Sequence, residues 1–304
     1  MSVTPVVRTV ALVKRYGHAA ALDGLDLEIA GGEVFGYLGP NGAGKSTTIA
    51  VLLGLIRATS GRASVFGLDP WRDAPAIHRR LAYVPSEANL WPTLTGGEVL
   101  ELLARLHGGV DESYRTELIA RFELDPEKKV RAYSHGNRQK VLLVAAFAGR
   151  ADLLLLDEPT TGLDPLMEQV FRDCVREART RGQTVLLSSH TLSEVEALCD
   201  RVAMLRAGRV IETGSLDVLR GLAAQRVHAR LRTAAPDLTR VEGVSAVAVA
   251  DGGRDVRCDV RGPMDALMTA LAAAGIEHLT TREPSLEELF VGRYGAHQAA
   301  AEAR

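Results

Sequence analysis

The sequence predicts an α/β protein whose core is a parallel sheet, followed by a smaller α+β domain. Its length of 304 residues suggests about two domains. The runs ADLLLLDEP (residues 151–159) and TVLLSSH (residues 184–190) are almost wholly apolar, as is typical of strands buried in a parallel sheet. Residues 168–181 and 192–199 have helix-like patterns, so strands and helices alternate. The composition changes near residue 220, where we expect the second domain to begin.

Composition and charge exclude several classes of protein. Apolar residues make up 46% of the chain and charged residues 24%, which excludes a mainly disordered chain. The 36 basic residues nearly balance the 38 acidic ones, giving a formal net charge of −2. Because dedicated nucleic-acid binders usually carry a strong basic excess, we expect no nucleic-acid partner.

The cysteines and the apolar stretches indicate the compartment. Cys174, Cys199 and Cys258 are far apart and form no CxxC pair, which predicts neither a disulfide framework nor a zinc site and fits a reducing cytosol. The N-terminus lacks the apolar core of a signal peptide. The longest apolar stretches are about half the length that spans a bilayer. We therefore expect a chain that does not cross a membrane by itself but can dock on a protein that does.

The N-terminal part of the chain begins with strand patterns. Residues 5–13 and 20–30 alternate enough to predict two strands. EVFGYLG (residues 33–39) is apolar and then glycine-rich, and helix-prone sequence follows from Lys45. This order predicts a strand, a loop and a helix in succession.

The middle of the chain, residues 87–150, has mostly helical patterns. Turn signals at residues 91–92, 108–109 and 125–126 divide it. Thr95 and Glu98 form a T-x-x-E capping box ahead of the run VLELLARLHG, which predicts the start of a helix.

The C-terminal part predicts a small accessory domain. Residues 243–261 have the pattern of a strand, an Asp-Gly-Gly turn and a second strand. Apolar residues then follow helical spacing at Met264, Leu267, Met268 and Leu271. We expect a β-β-α-β domain over residues 222–291 and a flexible tail over residues 292–304.

The segment GPNGAGKST, residues 39–47, matches the phosphate-binding pattern G-x-x-x-x-G-K-[ST]. Its glycines let the backbone turn several N–H groups toward one point, and the following helix offers its positive end to the same anion. Lys45 is suited to bridge two phosphates, and the Ser46 hydroxyl is suited to ligate Mg²⁺. We expect the nucleotide contacts of this loop to come from Gly39, Asn41, Gly42, Ala43, Gly44, Lys45, Ser46 and Thr47.

Two carboxylates end the apolar strand LLLLDEP. Asp157 is placed to hold the hydration shell of Mg²⁺, so Ser46 and Asp157 are the predicted metal residues. Glu158 is placed to orient and deprotonate an attacking water. Alone, the pattern equally fits a strand ending in two solvated acids; the phosphate loop favours the functional interpretation.

The order of motifs over residues 1–220 resembles the ATP-binding subunit of a bacterial ABC transporter. Lys45 and Asp157 enclose a long, largely helical segment that ends in YSHGNRQK, residues 133–140, which is similar to the family signature LSGGQ-RQ. TGLD, residues 161–164, resembles the D-loop of the family. Tyr16 matches the aromatic residue that stacks on adenine, and His190 matches the switch histidine.

The resemblance implies a P-loop ATPase domain over residues 1–220, with a helical subdomain over residues 87–150 and an ATPase activity that requires ATP and Mg²⁺. Two subunits, identical or different, would sandwich two ATP molecules head to tail. Each nucleotide would touch the phosphate loop of one chain and the signature of the other. On this basis the catalytic residues are Lys45, Glu158 and His190, and further nucleotide contacts come from Tyr16, Ser134, Gly136 and Asp164.

The same resemblance implies a separate transmembrane permease as partner and a location at the cytoplasmic face of the membrane. The segment EANLWPTLTGGE lies where the family contacts that partner, so Trp91 is either an anchor for the permease or packed inside the helical segment. EPSLEELFVGRYG, residues 283–295, resembles the ending of exporter subunits and favours export. The transported molecule is not encoded here.

The sequence departs from the family pattern at two sites. Ser86 stands where the family usually has a Gln that reaches Mg²⁺ and water, so we expect lower metal affinity or slower hydrolysis, with Glu87 able to take part of that role. The first Gly of the signature is His135 and its Gln is Asn137. His135 either adds charge near a phosphate or points to solvent. Asp164 likewise fits a contact across the dimer, a helix N-cap, or both.

The sequence is also compatible with two alternative functions. One is an ABC ATPase that acts in translation or DNA repair, although the chain has a single ATPase module and no long coiled-coil insertion. The other is a regulatory subunit that binds ATP with little turnover. Ser86 and His135 favour it, whereas it is disfavoured by the presence of Lys45, Asp157, Glu158 and His190.

Overall fold

Two units make up the part of the chain that the computed structural model describes, residues 4–221 and 224–282. The first unit ends at Thr213 and the second begins at Gly214. The predicted tail, together with the exporter-like ending, falls in residues 283–304 and lies outside the described residues.

The first unit contains two sheets. Three strands form an antiparallel sheet in the order β2-β1-β4: β1 (Val7–Tyr16), β2 (Ala19–Ile29) and β4 (Ser60–Val65). Six strands form the second sheet: β3 (Val34–Leu38), β5 (Leu81–Val84), β6 (Leu153–Asp157), β7 (Thr184–Ser189), β8 (Arg201–Arg206) and β9 (Arg209–Ser215).

The six-stranded sheet has the order β5-β6-β7-β3-β8-β9, and its first five strands run parallel. Every residue of β3, β6 and β7 is buried, which is why these segments are apolar without alternation. The predicted parallel sheet is confirmed. Because β6, β7 and β3 are neighbours, their carboxyl ends meet at one edge, which is where α/β sheets bind ligands.

Helices lie between the strands of the first unit. They are α1 (Lys45–Leu52), α2 (Ala74–His78), α3 (Gly96–His107), α4 (Glu112–Arg121), α5 (His135–Ala148), α6 (Pro165–Thr180) and α7 (Leu192–Leu198). Helix α1 contributes Ile49 and Leu52 to a core that also includes Leu25 of the antiparallel sheet and Leu155 of the parallel sheet. The two sheets therefore share one core around the helix that follows the phosphate loop.

Helices α3, α4 and α5 form the predicted helical insertion between β5 and β6. Helix α5 packs against both of the others, and its Phe147 ring lies 6.2 Å from the Phe171 ring of α6. The Tyr133 hydroxyl, just before α5, donates to the Asp125 carbonyl. No helix within residues 4–221 or 224–282 combines the length and apolar character that crossing a membrane requires.

The predicted capping box at the start of α3 is present. The Thr95 hydroxyl accepts from the Glu98 N–H at 3.1 Å, and the Glu98 carboxylate accepts from the Thr95 N–H at 2.7 Å. We expect Thr95→Ala to lower the free energy of unfolding by about 1 kcal/mol, measured by urea denaturation. Thr116→Ala, which removes a hydroxyl within α4, is the matched control. Equal effects of the two changes would contradict the capping role.

The second unit is an antiparallel sheet with one helix against it. It comprises α8 (Leu216–Gly221), β10 (Gln225–Leu231), β11 (Val244–Ala250), β12 (Asp255–Val260), α9 (Asp265–Ala273) and β13 (Ile276–Arg282). The sheet order is β11-β12-β10-β13. Leu267 and Leu271 of α9 pack with Val227, Ala229 and Val256 in the core of this unit.

The predicted β-β-α-β order lacks one strand. β10 precedes the predicted elements and lies in the interior of the sheet, between β12 and β13. Its apolar residues alternate with Arg226, His228 and Arg230, so the segment is half polar and gives a weak signal by itself. Both strands that pair with β10 lie far along the chain. The residue pattern of a single segment does not reveal which distant segment pairs with it.

All three cysteines lie buried as free thiols, Cys174 and Cys199 in the first unit and Cys258 in the second. Burial raises the pKa of each thiol, to about 12 for Cys174. These groups are therefore unreactive core residues at neutral pH.

Candidate functional site

The phosphate loop connects β3 to α1 in the predicted way. Gly44 has φ +112°, a conformation that side-chain-bearing residues rarely adopt. A Cβ at this position would also lie 2.8 Å from the Ala21 carbonyl oxygen. Gly44 is therefore required both by its backbone angle and by the close approach of β2, and it sets the loop at the N-terminus of α1.

Lys45, the first residue of α1, is 5% exposed. Its Nζ donates to the Gly39 carbonyl at 2.6 Å, so the side chain folds back across the loop. Thr48 is held by the Tyr37 hydroxyl at 2.9 Å, which anchors α1 to β3. Ser46 is exposed and Thr47 is half-buried, so the Ser46 hydroxyl is accessible next to the loop.

Asp157 and Glu158 lie at the carboxyl end of β6, as predicted. Asp157 is 2% exposed and pairs in register with Ser188 of β7, whose hydroxyl donates to its carboxylate. The Glu158 N–H donates to the Ser188 carbonyl at 3.0 Å. Glu158 has φ +49°, an uncommon conformation for a residue with a side chain, and such angles concentrate at functional sites.

The Glu158 carboxylate lies between the Lys45 ammonium group and the His190 imidazole ring. Its Oε1 is 3.4 Å from Lys45 Nζ, and its Oε2 is 3.4 Å from His190 Nδ1. The exposed fractions are 5% for the Lys45 side chain, 21% for Glu158 and 60% for His190, so this chain of three groups runs from the protein interior to the surface. The structure thus joins the three predicted catalytic residues, which come from α1, the end of β6 and the end of β7.

The signature and the D-loop meet at a second place. Ser134 is the N-cap of α5 and accepts from the Asn137 N–H at 3.2 Å. Gly136 lies so close to Gly162 that a Cβ on Gly136 would collide with the Gly162 carbonyl oxygen. Gly162 itself has φ +80°. The two segments therefore fix each other through backbone contact that any larger residue would displace.

Asp164 caps α6. Its carboxylate accepts from the N–H groups of Leu166 and Met167, each at 3.0 Å. The N-cap interpretation is confirmed; a contact across a dimer, which is compatible with the exposed position of Asp164, stays a prediction.

The remaining predicted contacts are Tyr16, Ser134 and Gly136. Tyr16 is 54% exposed, and its ring lies 5.0 Å from Lys14 Nζ. Within the described residues, no hydrogen bond or ion pair links Tyr16, Ser134 or Gly136 to Lys45 or Glu158. Ser134 and Gly136 therefore do not engage the catalytic residues of their own chain through such bonds.

The positions that depart from the family pattern are all accessible. Ser86 is half-buried just after β5, and Glu87 is exposed. His135 is exposed with its ring edge beside Gly162.

Trp91 is 48% exposed, so the interpretation that it packs inside the helical segment is wrong.

Sequence reasoning missed Glu194 and Gln139. The Glu194 carboxyl is 3% exposed on α7 and accepts from the Ser189 hydroxyl at 2.7 Å, directly before His190. Burial raises the pKa of Glu194, and the bond from Ser189 opposes that rise. Gln139 of α5 is fully buried and donates to the Pro85 carbonyl at 3.2 Å, next to Ser86. In the sequence, only the position of Glu194, four residues after His190, could have pointed to it.

Comparison with known proteins agrees with this geometry. Residues 22–161 match the ABC transporter family. The chain is 40% identical over 303 residues to the daunorubicin resistance ATP-binding protein DrrA3 of Streptomyces coeruleorubidus, covering 95% of this chain and 96% of the relative. It is also 33% identical to the fluoroquinolones export ATP-binding protein MT2762 of Mycobacterium tuberculosis (strain CDC 1551 / Oshkosh). That alignment covers 95% of this chain and 93% of the relative.

Among solved structures, an ATP-binding subunit of an ABC transporter superposes with a TM-score of 0.66 and 32% identity. The superposition covers 71% of this chain and 92% of that chain. From the phosphate loop, the strand-end carboxylates and these similarities together, we conclude that the chain belongs to the ABC transporter family and is one of its ATP-binding, ATP-hydrolysing subunits.

Proposed function

We propose that this ATPase powers a separate transmembrane permease that exports a small drug-like molecule. The observation that carries the proposal is the similarity, over nearly the whole chain, to proteins named for drug resistance and for fluoroquinolone export. The joined Lys45, Glu158 and His190 support ATP turnover rather than ATP binding alone. The protein then acts at the cytoplasmic face of the membrane through its partner.

In the proposed reaction, the phosphate loop binds ATP and Lys45 exchanges its carbonyl and carboxylate partners for phosphate oxygens. The Glu158 carboxylate is then available to orient water and take its proton. His190, 3.4 Å from Glu158 on the exposed side, holds the carboxylate or the water in line. Tyr16 stacks on the adenine ring.

The residues at this edge also fit Mg²⁺. Ser46 and Asp157 supply hard oxygen donors, and the Ser188 hydroxyl fixes the orientation of the buried Asp157 carboxylate. We propose that these two residues hold the ion, Asp157 through water. The bound ion would neutralise charge that develops on the phosphate oxygens.

We further propose that two ATPase subunits associate head to tail around ATP. Within one chain, Ser134 and Gly136 make no hydrogen bond or ion pair to Lys45 or Glu158 among the described residues. Ser134 and the start of α5 offer a hydroxyl, free N–H groups and a positive helix end, which suit a phosphate supplied by the other subunit. Asp164, beside this surface, is placed to contact that subunit.

We expect Gly136→Ala to lower ATP turnover by about 100-fold while leaving ATP affinity nearly unchanged. The added Cβ collides with the Gly162 carbonyl and shifts the signature against the D-loop, and small displacements of a positioned group carry costs of this size. Steady-state phosphate release and ATP titration measure the two quantities. Gly31→Ala, whose Cβ would make only ordinary contact at 3.5 Å, is the control. Full turnover in Gly136→Ala would contradict this arrangement.

The effect of Ser86 is tested by restoring the longer side chain. We expect Ser86→Gln to raise the hydrolysis rate or the apparent Mg²⁺ affinity by about fivefold, the equivalent of one hydrogen bond of about 1 kcal/mol. Ser113→Gln, on the exposed surface of α4, is the control. If rate and Mg²⁺ dependence both stay unchanged, Ser86 does not limit this ATPase.

A groove in the first unit suits the proposed permease. It lies between the edge strand β5 and helices α3 and α5, with a volume of about 210 Å³, and Tyr83, Leu103, Leu106 and Leu142 line it. Leu106 is 73% exposed, and burial lowers the pKa of His107 in the same groove, which favours the neutral imidazole. Apolar side chains from a helix of a membrane protein fit such a groove, and the 48% exposed Trp91 is a second candidate anchor on the first unit.

The proposed function is tested by affinity purification of the tagged chain from its native membranes in mild detergent, followed by mass spectrometry. We expect a stoichiometric polytopic membrane protein. Its recovery should fall with Leu106→Asp and persist with Leu166→Asp, a matched change at a 74% exposed residue of α6. Recovery of ribosomes, of DNA or of no partner would contradict the transporter proposal and leave the ATPase activity standing.

A further inference from the structure

A basic groove lies in the first unit, away from the residues described above. It has a volume of about 840 Å³ and is bounded by β1, β4 and the loops at residues 56–58 and 67–72. We define the basic groove by the six residues whose chemistry dominates its lining: Arg8, Val10, Arg57, Arg62, Trp71 and Arg72. Neither the ATPase site nor the proposed permease groove uses any of them.

The charge of the basic groove is strongly one-sided. Four arginines line it against one acid, Asp69. One Asp69 oxygen already accepts from the backbone N–H groups of Trp71 and Arg72, at 2.9 and 3.2 Å. Among the described residues, Arg62 and Arg72 form no ion pair, and the Arg8 pair with Glu28 is long, at 4.0 Å between exposed side chains. The groove therefore has a net positive charge that the protein itself does not balance.

Apolar surface accompanies this charge. Trp71 is 47% exposed and Val10 is 45% exposed. The Arg57 guanidinium lies 5.1 Å from the centre of the Trp71 ring, which holds the indole at the groove while leaving part of it open. Exposed Trp beside several Arg residues is the composition of surfaces that lie at the boundary of a membrane, where indole sits at the headgroup level and guanidinium pairs with phosphate.

We propose that the basic groove binds the phosphate headgroups of anionic lipids and so holds the ATPase against the membrane surface. Arg62 and Arg72 pair with lipid phosphates, and Trp71 inserts at the headgroup level. Because each basic residue near an anionic surface contributes about 1 kcal/mol, four arginines give reversible rather than permanent attachment. This inference goes beyond the proposed function, since it concerns lipid and not the permease or the transported molecule.

The chain contains two tryptophans, so each can be made the sole fluorescent reporter. Trp91→Phe leaves Trp71, and Trp71→Phe leaves Trp91 as the control. The full-length chain is titrated with vesicles of phosphatidylglycerol and phosphatidylcholine, with vesicles of phosphatidylcholine alone, and with inorganic phosphate. We expect a blue shift of Trp71, and its quenching by brominated lipid, only with the phosphatidylglycerol vesicles.

The charge requirement is tested by Arg62→Gln combined with Arg72→Gln. Loss of two charges should weaken vesicle partitioning by about 30-fold. Arg240→Gln combined with Arg261→Gln removes the same charge from the second unit and should leave partitioning within about twofold of the parent. Circular dichroism and ATP binding report that each variant is folded.

Three outcomes would overturn the proposal. One is no response of Trp71 to phosphatidylglycerol vesicles. Another is an equal response to inorganic phosphate, which would make the groove a site for free anions. The third is an equal loss of vesicle partitioning in the two double variants. That result would mean that the net charge of the protein, and not the basic groove, determines partitioning. None of these outcomes bears on the permease, whose recovery from membranes is a separate measurement.

Discussion

Glu158→Gln should bind ATP normally and hydrolyse it about 100- to 10,000-fold more slowly than the parent chain. The substitution keeps the shape of the side chain but removes the group that accepts a proton from water, and a positioned general base contributes a factor of this size. The carboxylate is already held between Lys45 and His190, each 3.4 Å away, at the carboxyl end of β6. ATP should also hold the variant as a dimer, because in the proposed arrangement ATP hydrolysis is the step that loosens the contact between the subunits.

For Glu158→Gln, phosphate release measures turnover. Light scattering of the protein as it elutes from a sizing column with ATP and Mg²⁺ measures its oligomeric state. Asp152→Asn is the matched control, because Asp152 lies just before the opposite end of β6 and pairs with Arg80 at the surface. It should retain parental turnover and remain a monomer after ATP is consumed. Parental turnover in Glu158→Gln would remove Glu158 from the role of general base.

Lys45→Ala should weaken ATP binding itself, by about 100-fold. Lys45 is 5% exposed, and its Nζ lies at the centre of the phosphate loop, 2.6 Å from the Gly39 carbonyl. Truncating one member of a buried charge pair costs about 2–5 kcal/mol, because the partner charge is left without compensation. In the proposed reaction that partner is the nucleotide phosphate in the bound state, whereas in the free protein it is the Glu158 carboxylate.

Calorimetric titration with ATP measures the effect, with thermal unfolding as the check that Lys45→Ala is folded. Lys129→Ala, an exposed residue before the signature, is the control and should bind ATP like the parent. Lys45→Ala is thus expected to lose affinity for ATP, whereas Glu158→Gln keeps its affinity for ATP but loses turnover. Parental affinity in Lys45→Ala would refute the proposed binding role of this lysine.

The accessory unit illustrates where pattern reasoning succeeds and fails. The strand-turn-strand at residues 243–261 and helix α9 have regular alternation or helical spacing, and both are present. The pattern does not reveal β10, because polar residues occupy every second position and both of its neighbours, β12 and β13, follow it after long connections. Local periodicity carries information about burial, but the identity of the pairing strand is a long-range property.

Motifs and burial patterns along the chain suffice to predict the phosphate loop, the acids at the end of β6, the capped helices and the parallel core. These features depend on short spacings and on the burial pattern of single segments, which are local properties. Contacts between residues from different elements depend instead on how the chain folds: Glu158 contacts both Lys45 and His190, Gly136 contacts Gly162, and Glu194 contacts Ser189. The first of these contacts requires that β6, β7 and β3 be neighbours, because strand order alone brings their carboxyl ends to one edge.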